Sequence, residues 1–177
     1  MPLIKSISGI RGTIGDKPGE NLTPADVEKF SAAFASLLLE NFSGEGRDPK
    51  MVVGRDGRIS GESIRNIVVK TLTGLGIDVV DLGLSTTPTV ELAVKMENAI
   101  GGIIITASHN PAEWNALKLL NSDGEFISAE LGKKMLENAE KEINTSSDRQ
   151  GKIILDDSYL QKHIDAVLNY PLINAKA

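Results

Sequence analysis

After Thr23 and Pro24, apolar residues recur at helical spacing: Val27, Phe30, Phe34, Leu37 and Leu38 form one stripe, with Thr23 placed as a cap and Pro24 as the first helical residue. A short apolar run from Met51 to Gly54 predicts a strand. Ser60 is then positioned to cap a second helix, whose Ile64, Ile67, Val68, Leu72 and Leu75 make one face before Gly76. Residues 77–82, IDVVDL, read as another strand, and Thr87 with Pro88 opens a short helix through Val90, Ala93 and Val94. The most continuous apolar run lies at 100–106. Its consecutive Ile residues are those expected of a central strand covered on both faces.

Farther along, LKLLN and EFI flank Ser122, Asp123 and Gly124, a turn signal that predicts an antiparallel hairpin at a sheet edge, and Ser128 caps a further helix. The polar run NTSSDRQG follows. A strand at 152–155 and a helix over about 157–169 come next, with Leu160, Ile164, Val167 and Leu168 on one face and Pro171 as the stop. Strands that alternate with helices require crossover connections, so the pattern predicts an α/β fold. The expected architecture is a three-layer α/β/α arrangement around a mixed, mainly parallel sheet. An apolar helix face this late in the sequence leaves two readings open: a chain cut before a further domain, or a helix docked back on its own domain.

A length of 177 residues suits one ordinary domain with a short extension, and 41% hydrophobic with 24% charged residues places the chain among folded globular proteins. A net charge of −5 supplies no basic field for nucleic acid, so any phosphate must be met by local groups. Without cysteine there is no disulfide framework or thiolate metal site, and two histidines are too few for an imidazole cluster. No segment approaches the roughly 20 apolar residues that span a bilayer, and the N-terminus lacks the apolar core of a secretory signal. The expectation is a cytoplasmic protein without membrane or nucleic-acid partners.

In parallel α/β sheets, ligands bind beyond the carboxyl ends of strands. The loops that qualify are GRDGRISG, GLSTTPT and TASHNP. In the last, Ser108 stands between a buried strand and the Asn110-Pro111 turn, with His109 beside it. A free serine hydroxyl is a poor nucleophile without a base, charge stabilisation or prior phosphorylation, and by composition alone Ser108 and Asn110 serve equally as turn formers. Adjacent serine and histidine seldom reach triad geometry, and neither a G-x-S-x-G elbow nor a Gly-rich nucleotide motif is present. The cations near these loops are Arg11, Arg55, Arg58 and Lys118. Any of them can neutralise phosphoryl oxygens, but each singly reads as a solvated charge or an ion pair, more so with Asp56 between Arg55 and Arg58.

The motifs SGIRGT, VVGRDGRISG, LGLSTTPT and TASHNPAEWNALKLLNSDGEFIS occur in the order found in the alpha-D-phosphohexomutase superfamily, and the chain resembles its N-terminal domain over nearly its whole length. The resemblance implies an enzyme of several domains that interconverts hexose 6-phosphate and hexose 1-phosphate through a phosphoserine and a hexose 1,6-bisphosphate. Residues 1–150 would form the phosphoserine-bearing domain I, and 151–177 a strand and helix leading into a second domain. Ser108 would carry the phosphoryl group, His109 would help position it, Arg11 and Lys118 would lie near it, and Lys118 would also be an acid/base group. A Mg²⁺ ion would be bound through the Ser108 phosphate. The family's D-G-D-x-D-R loop, which supplies the metal's carboxylates, does not occur in these 177 residues, so the isolated chain would be inactive, needing the remaining domains of the polypeptide. WNALK in place of WNGxK resembles phosphoglucosamine mutases, which favours glucosamine phosphate over glucose or mannose phosphate. The alternative is a sugar-phosphate-binding module without turnover.

Overall fold

The computed structural model describes residues 3–6, 9–44, 46–141 and 143–173; Ser8 of SGIRGT lies outside them. In chain order the elements are β1 (Ile4–Ser6), β2 (Gly9–Ile14), β3 (Asn21–Leu22), α1 (Pro24–Glu40), β4 (Lys50–Arg55), α2 (Gly61–Gly74) and β5 (Asp78–Leu84). They continue with α3 (Thr87–Met96), β6 (Gly101–Ile105), β7 (Trp114–Leu120), α4 (Ala129–Ala139), β8 (Ile153–Leu155) and α5 (Tyr159–Leu168). The sheet runs β1-β2-β7-β6-β4-β5-β8, with β3 paired to β2. β6, β4, β5 and β8 run parallel to one another, whereas β7 is antiparallel to both β6 and β2. The sheet is therefore mixed and parallel at its centre, as expected.

Side-chain alternation along these strands builds the three layers. Met51, Val53, Val79, Ile103, Ile105 and Leu117 point to one face, where they pack with α1, α2 and α4. Val52, Val80, Leu82 and Ile104 point to the other, against Val90, Ala93 and Val94 of α3 and Tyr159 of α5. Every residue of β6 is buried, which accounts for its unbroken apolar run. Thr23 caps α1 in a reciprocal box: its hydroxyl accepts from the Asp26 amide at 3.2 Å while Asp26 Oδ2 accepts from the Thr23 amide at 3.1 Å. Among the described residues no helix is long and apolar enough to cross a membrane.

Two local expectations are corrected, and a third is narrowed. Ser60 stands at the start of α2 but makes no side-chain cap; its hydroxyl instead accepts from Asn115 Nδ2 at 2.9 Å. The predicted edge hairpin is reduced to a single bridge between Leu120 and Phe126, and β7 lies inside the sheet because the N-terminal strand β2 pairs along its outer side. On α5, the predicted apolar stripe of Leu160, Ile164, Val167 and Leu168 is exposed, and Tyr159 alone is fully buried. The helical period is the expected one, and of the two readings left open for this face the described residues do not show it docked back under cover.

Candidate functional site

Antiparallel pairing of β2, β7 and β6 brings distant residues onto one surface. Arg11 is the register partner of Ala116, and Lys118 that of Ile104, so Arg11, Ala116 and Lys118 share a face. Gly9 permits the approach of β2. Its φ is +119°, and a Cβ there would stand 2.1 Å from the carbonyl oxygen of Leu117. The helices on this side of the sheet, α3 and α5, pack over β4, β5 and β6, and the surface over β2 and β7 stays open. The loop between β6 and β7 closes one wall of that opening.

The result is a cavity of about 230 Å³ lined by Gly9, Arg11, Thr106, Ser108, His109 and Lys118, among others. All four residues singled out in the sequence meet here. Ser108 and His109 are exposed at its wall, Arg11 is exposed on β2, and Lys118 is half-buried. Ser108 has φ +53°, in the left-handed region that a side chain rarely adopts. Its amide donates to Thr106 Oγ1 at 3.2 Å, and the Asn110 amide donates to the Ala107 carbonyl at 3.0 Å, making the turn compact. Lys118 Nζ lies 5.7 Å from the centroid of the Phe126 ring, a cation–π contact that steadies the ammonium.

Arg11 and Lys118 form no ion pair among the described residues, unlike Arg55, which pairs with Glu62 at 2.7 Å, and Arg58, which pairs with Asp56 at 3.3 Å. Two unneutralised cations facing one cavity repel each other, and an anion between them relieves that repulsion. A phosphate fits this demand, because it adds about −1.5 to −2 charge and several strong acceptors. Among the described residues His109 makes no hydrogen bond to Ser108 or to a carboxylate, so the geometry is not that of a hydrolase triad. No group of three or more His, Asp or Glu among the described residues is arranged to hold a metal ion. The residues that line the cavity include no carboxylate, so they do not by themselves fit a Mg²⁺ shell.

A larger groove of about 480 Å³ between α3 and α5 has mostly apolar walls, and its one imidazole is already engaged, with His163 Nδ1 at 2.9 Å from the Thr89 hydroxyl. Glu91, Lys95, Asp123 and Glu125 also line it, and it shares no lining residue with the Ser108 cavity. The serine loop rests instead on a residue whose role the local sequence did not reveal. Arg58 extends beneath it and donates to the carbonyl oxygens of Ser108, Asn110, Pro111 and Trp114 at 2.7–3.0 Å. The only sequence signal was its position in a strand-end loop, because the carbonyls it meets lie fifty or more positions away.

Residues 3–146 match the family model described as phosphoglucomutase/phosphomannomutase, alpha/beta/alpha domain I. The chain belongs to that family. A phosphoglucomutase/phosphomannomutase of Thermococcus kodakarensis is 43% identical over 117 residues, covering 66% of this chain and 24% of that protein. A probable phosphoglucosamine mutase of Methanopyrus kandleri is 35% identical over 163 residues, covering 92% of this chain and 33% of that protein. The crystal structure of a Thermus thermophilus protein designated a phosphomannomutase superposes with a TM-score of 0.78 at 27% identity, over 96% of this chain and 37% of that one. This phosphohexomutase domain I therefore spans about a quarter to a third of the length of these curated relatives.

Proposed function

We propose that this domain supplies the phosphate-carrying serine of a phosphohexomutase, with Ser108 as carrier and glucosamine phosphate as first-choice substrate, ahead of glucose or mannose phosphate. The observation that carries the reading is the convergence on the cavity of Ser108 and His109 of Arg11 and Lys118, neither of which forms an ion pair among the described residues. In the forward step the bond between phosphorus and Ser108 Oγ breaks as a bond to a hydroxyl of the hexose monophosphate forms. Oγ accepts a proton from the Lys118 ammonium, and the proton lost by the attacking hydroxyl restores that ammonium, so the lysine serves as acid/base group with no net change of charge. The product is a hexose 1,6-bisphosphate. Transfer of its other phosphoryl group back to Ser108 releases the isomer, so each P–O bond formed replaces one broken.

Phosphoryl transfer depends mainly on positioning and charge stabilisation, and the chain's residues suit those tasks. Arg11 and Lys118 oppose the phosphate charge, and His109 offers an imidazole at the rim. Magnesium would draw its carboxylates from the rest of the polypeptide, as would most contacts that choose the sugar. The boundary near residue 150 and a cytoplasmic setting belong to the same proposal.

The test is peptide mass spectrometry on the intact protein from cells, together with Ser108→Ala. Phosphate on Ser108 and a loss of mutase turnover of at least about a thousandfold in the variant are expected, since the variant removes the covalent route. Unmodified Ser108 with turnover surviving the substitution refutes the reading. Tight, saturable hexose-phosphate binding by the isolated chain, with Ser108 never phosphorylated, would instead mark a binding module.

A further inference from the structure

Between its buried ends at Ala107 and Trp114 the cavity loop is exposed along Ser108 and His109 and again from Pro111 to Glu113, so burial of apolar side chains does not order that stretch. Its order comes from beneath. The Arg58 side chain is 11% exposed, and its two terminal nitrogens reach four loop carbonyls: Nη1 donates to Pro111 at 2.7 Å and Trp114 at 3.0 Å, Nη2 to Ser108 at 2.9 Å and Asn110 at 2.7 Å. Its Nε faces Asp56 Oδ2 at 3.3 Å, while Asp56 Oδ1 accepts from the Arg58 amide at 3.0 Å. The guanidinium is thus oriented from one side by a carboxylate and spent on the other by the loop.

We infer that Arg58 is the positioning residue of the serine loop, holding Ser108 in its left-handed conformation opposite Arg11 and Lys118; the inference rests on the reading of Ser108 as phosphate carrier. Two bonds pin Ser108 at its flanks, its amide to Thr106 Oγ1 and its carbonyl to Arg58 Nη2. A left-handed non-glycine residue persists only where its surroundings determine it, and here the carbonyl side is determined by Arg58. Arg58 does not line the cavity and has no terminal nitrogen without a loop carbonyl, so it acts through the loop and not on the phosphate. Asn115 adds a second tie to the same strand-end loop through Ser60. A lysine cannot substitute, because a single ammonium offers its donors from one point while the planar fork spans four acceptors.

Arg58→Ala and Arg58→Lys, made in the 177-residue chain, separate positioning from general stability through amide hydrogen exchange. Exchange over residues 106–116 should rise at least about tenfold in both variants, the change in opening expected when charge-assisted hydrogen bonds are lost, while β4 and α1 stay within about twofold. Methylguanidinium added to Arg58→Ala should restore part of the loop's protection and should not restore Arg58→Lys. In the full-length protein, kcat should fall roughly a hundredfold with KM within about threefold, the effect of a misplaced reacting group. Loop exchange unchanged in Arg58→Ala overturns the inference. So does faster exchange spread evenly over the domain, or loss of fold in both variants, either of which makes Arg58 a stability residue. If unsubstituted protein never carries phosphate on Ser108, the functional reading fails, and the loop's exchange still decides what Arg58 does.

Discussion

The loop from Thr106 to Trp114, which joins two strands inside the sheet, and the segment from Ile153 to Leu168, at one margin of it, are ordered by different forces. In the loop, side chains are largely exposed and the backbone is irregular, yet four of its carbonyls are tied to one buried guanidinium. In the C-terminal segment, β8 and α5 are regular, yet Leu155 is 75% exposed and Leu160 61%. That margin is anchored at few points. Tyr159 is 2% exposed, and its hydroxyl donates to Glu97 Oε1 at 2.6 Å. Upstream, Asp78 Oδ1 accepts from Arg149 Nη2 at 2.6 Å and from the Lys152 amide at 2.8 Å. Exposure therefore does not measure looseness, and regular secondary structure does not measure burial. Polar bonds to a buried charge can hold a reactive loop open to substrate, which apolar packing would have to cover.

The most severe way to break this comparison is Tyr159→Ala. Emptying a fully buried aromatic site costs about 3–5 kcal/mol where the structure cannot collapse, and α5 has little other burial to retain it. The expected outcome is a lower denaturation midpoint with loss of amide protection confined to 159–168. Tyr159→Phe keeps the ring and should cost only about 1 kcal/mol, since one hydrogen bond is lost and Glu97 keeps Lys50 at 2.7 Å. Amide exchange that rises in 106–114 as well would mean that the two regions are coupled and the contrast is false.

Much of the fold was legible because local pattern and tertiary role agreed. Thr23 with Pro24 marked α1, and the Ile103–Ile105 run marked a strand buried on both faces. β7 was misplaced at an edge because its outer partner, β2, comes from residues 9–14, and no pattern near Trp114 announces that pairing. Ser60 looked like a cap because serine favours that position, but Asn115 claimed its hydroxyl. The residues lining the cavity were legible only as a set of motifs. Composition left Ser108 a turn former, and it was the shared face of Arg11 and Lys118 that joined two distant cations to it. Arg58 read as half of a local ion pair with Asp56, which it is, but its other four contacts are non-local and carry no sequence signature.

Acid gives a gentler discrimination between the two regions. Burial raises the pKa of Asp78, but bonds from the Lys152 amide and Arg149 outweigh it and leave the carboxyl below its ordinary 3.8. Glu97 behaves alike, with burial opposed by Lys50 and the Tyr159 hydroxyl, so that it lies below its ordinary 4.5. Asp156 is lowered by the Ser158 hydroxyl and Lys162. A carboxyl depressed on folding contributes its stability fully above the unfolded pKa and loses it as pH falls through the folded one. The C-terminal margin should therefore begin to weaken as pH drops below about 4.5 and continue to weaken below about 3.8, whereas the four bonds to loop carbonyls come from Nη1 and Nη2 of Arg58, with the Asp56 carboxylate facing its Nε. Amide exchange followed from pH 7 downward should loosen β8 and α5 before the loop at 106–114. The reverse order would show that the anchors of β8 and α5 are not electrostatic.

The smallest expected effect is the sharpest check on exposure. Leu155 sits in a strand and is apolar, so an argument from residue type alone makes Leu155→Ser costly. The structure argues the opposite, because the side chain is already in water and the strand is held by its backbone. Leu155 is in register with Asp81 of β5, and the next amide, that of Asp156, donates to the Asp81 carbonyl at 3.0 Å. Neither contact uses the leucine side chain. The stability of the chain should change by no more than about 0.5 kcal/mol in denaturant titration, the range of ordinary surface substitutions. Leu117→Ala, at a site with no exposure in β7, should cost about 2–5 kcal/mol and calibrates the measurement. A Leu155→Ser loss above about 1 kcal/mol would mean that β8 is covered in solution, by another copy or by movement of α5, and the exposed margin would no longer be a property of the free chain.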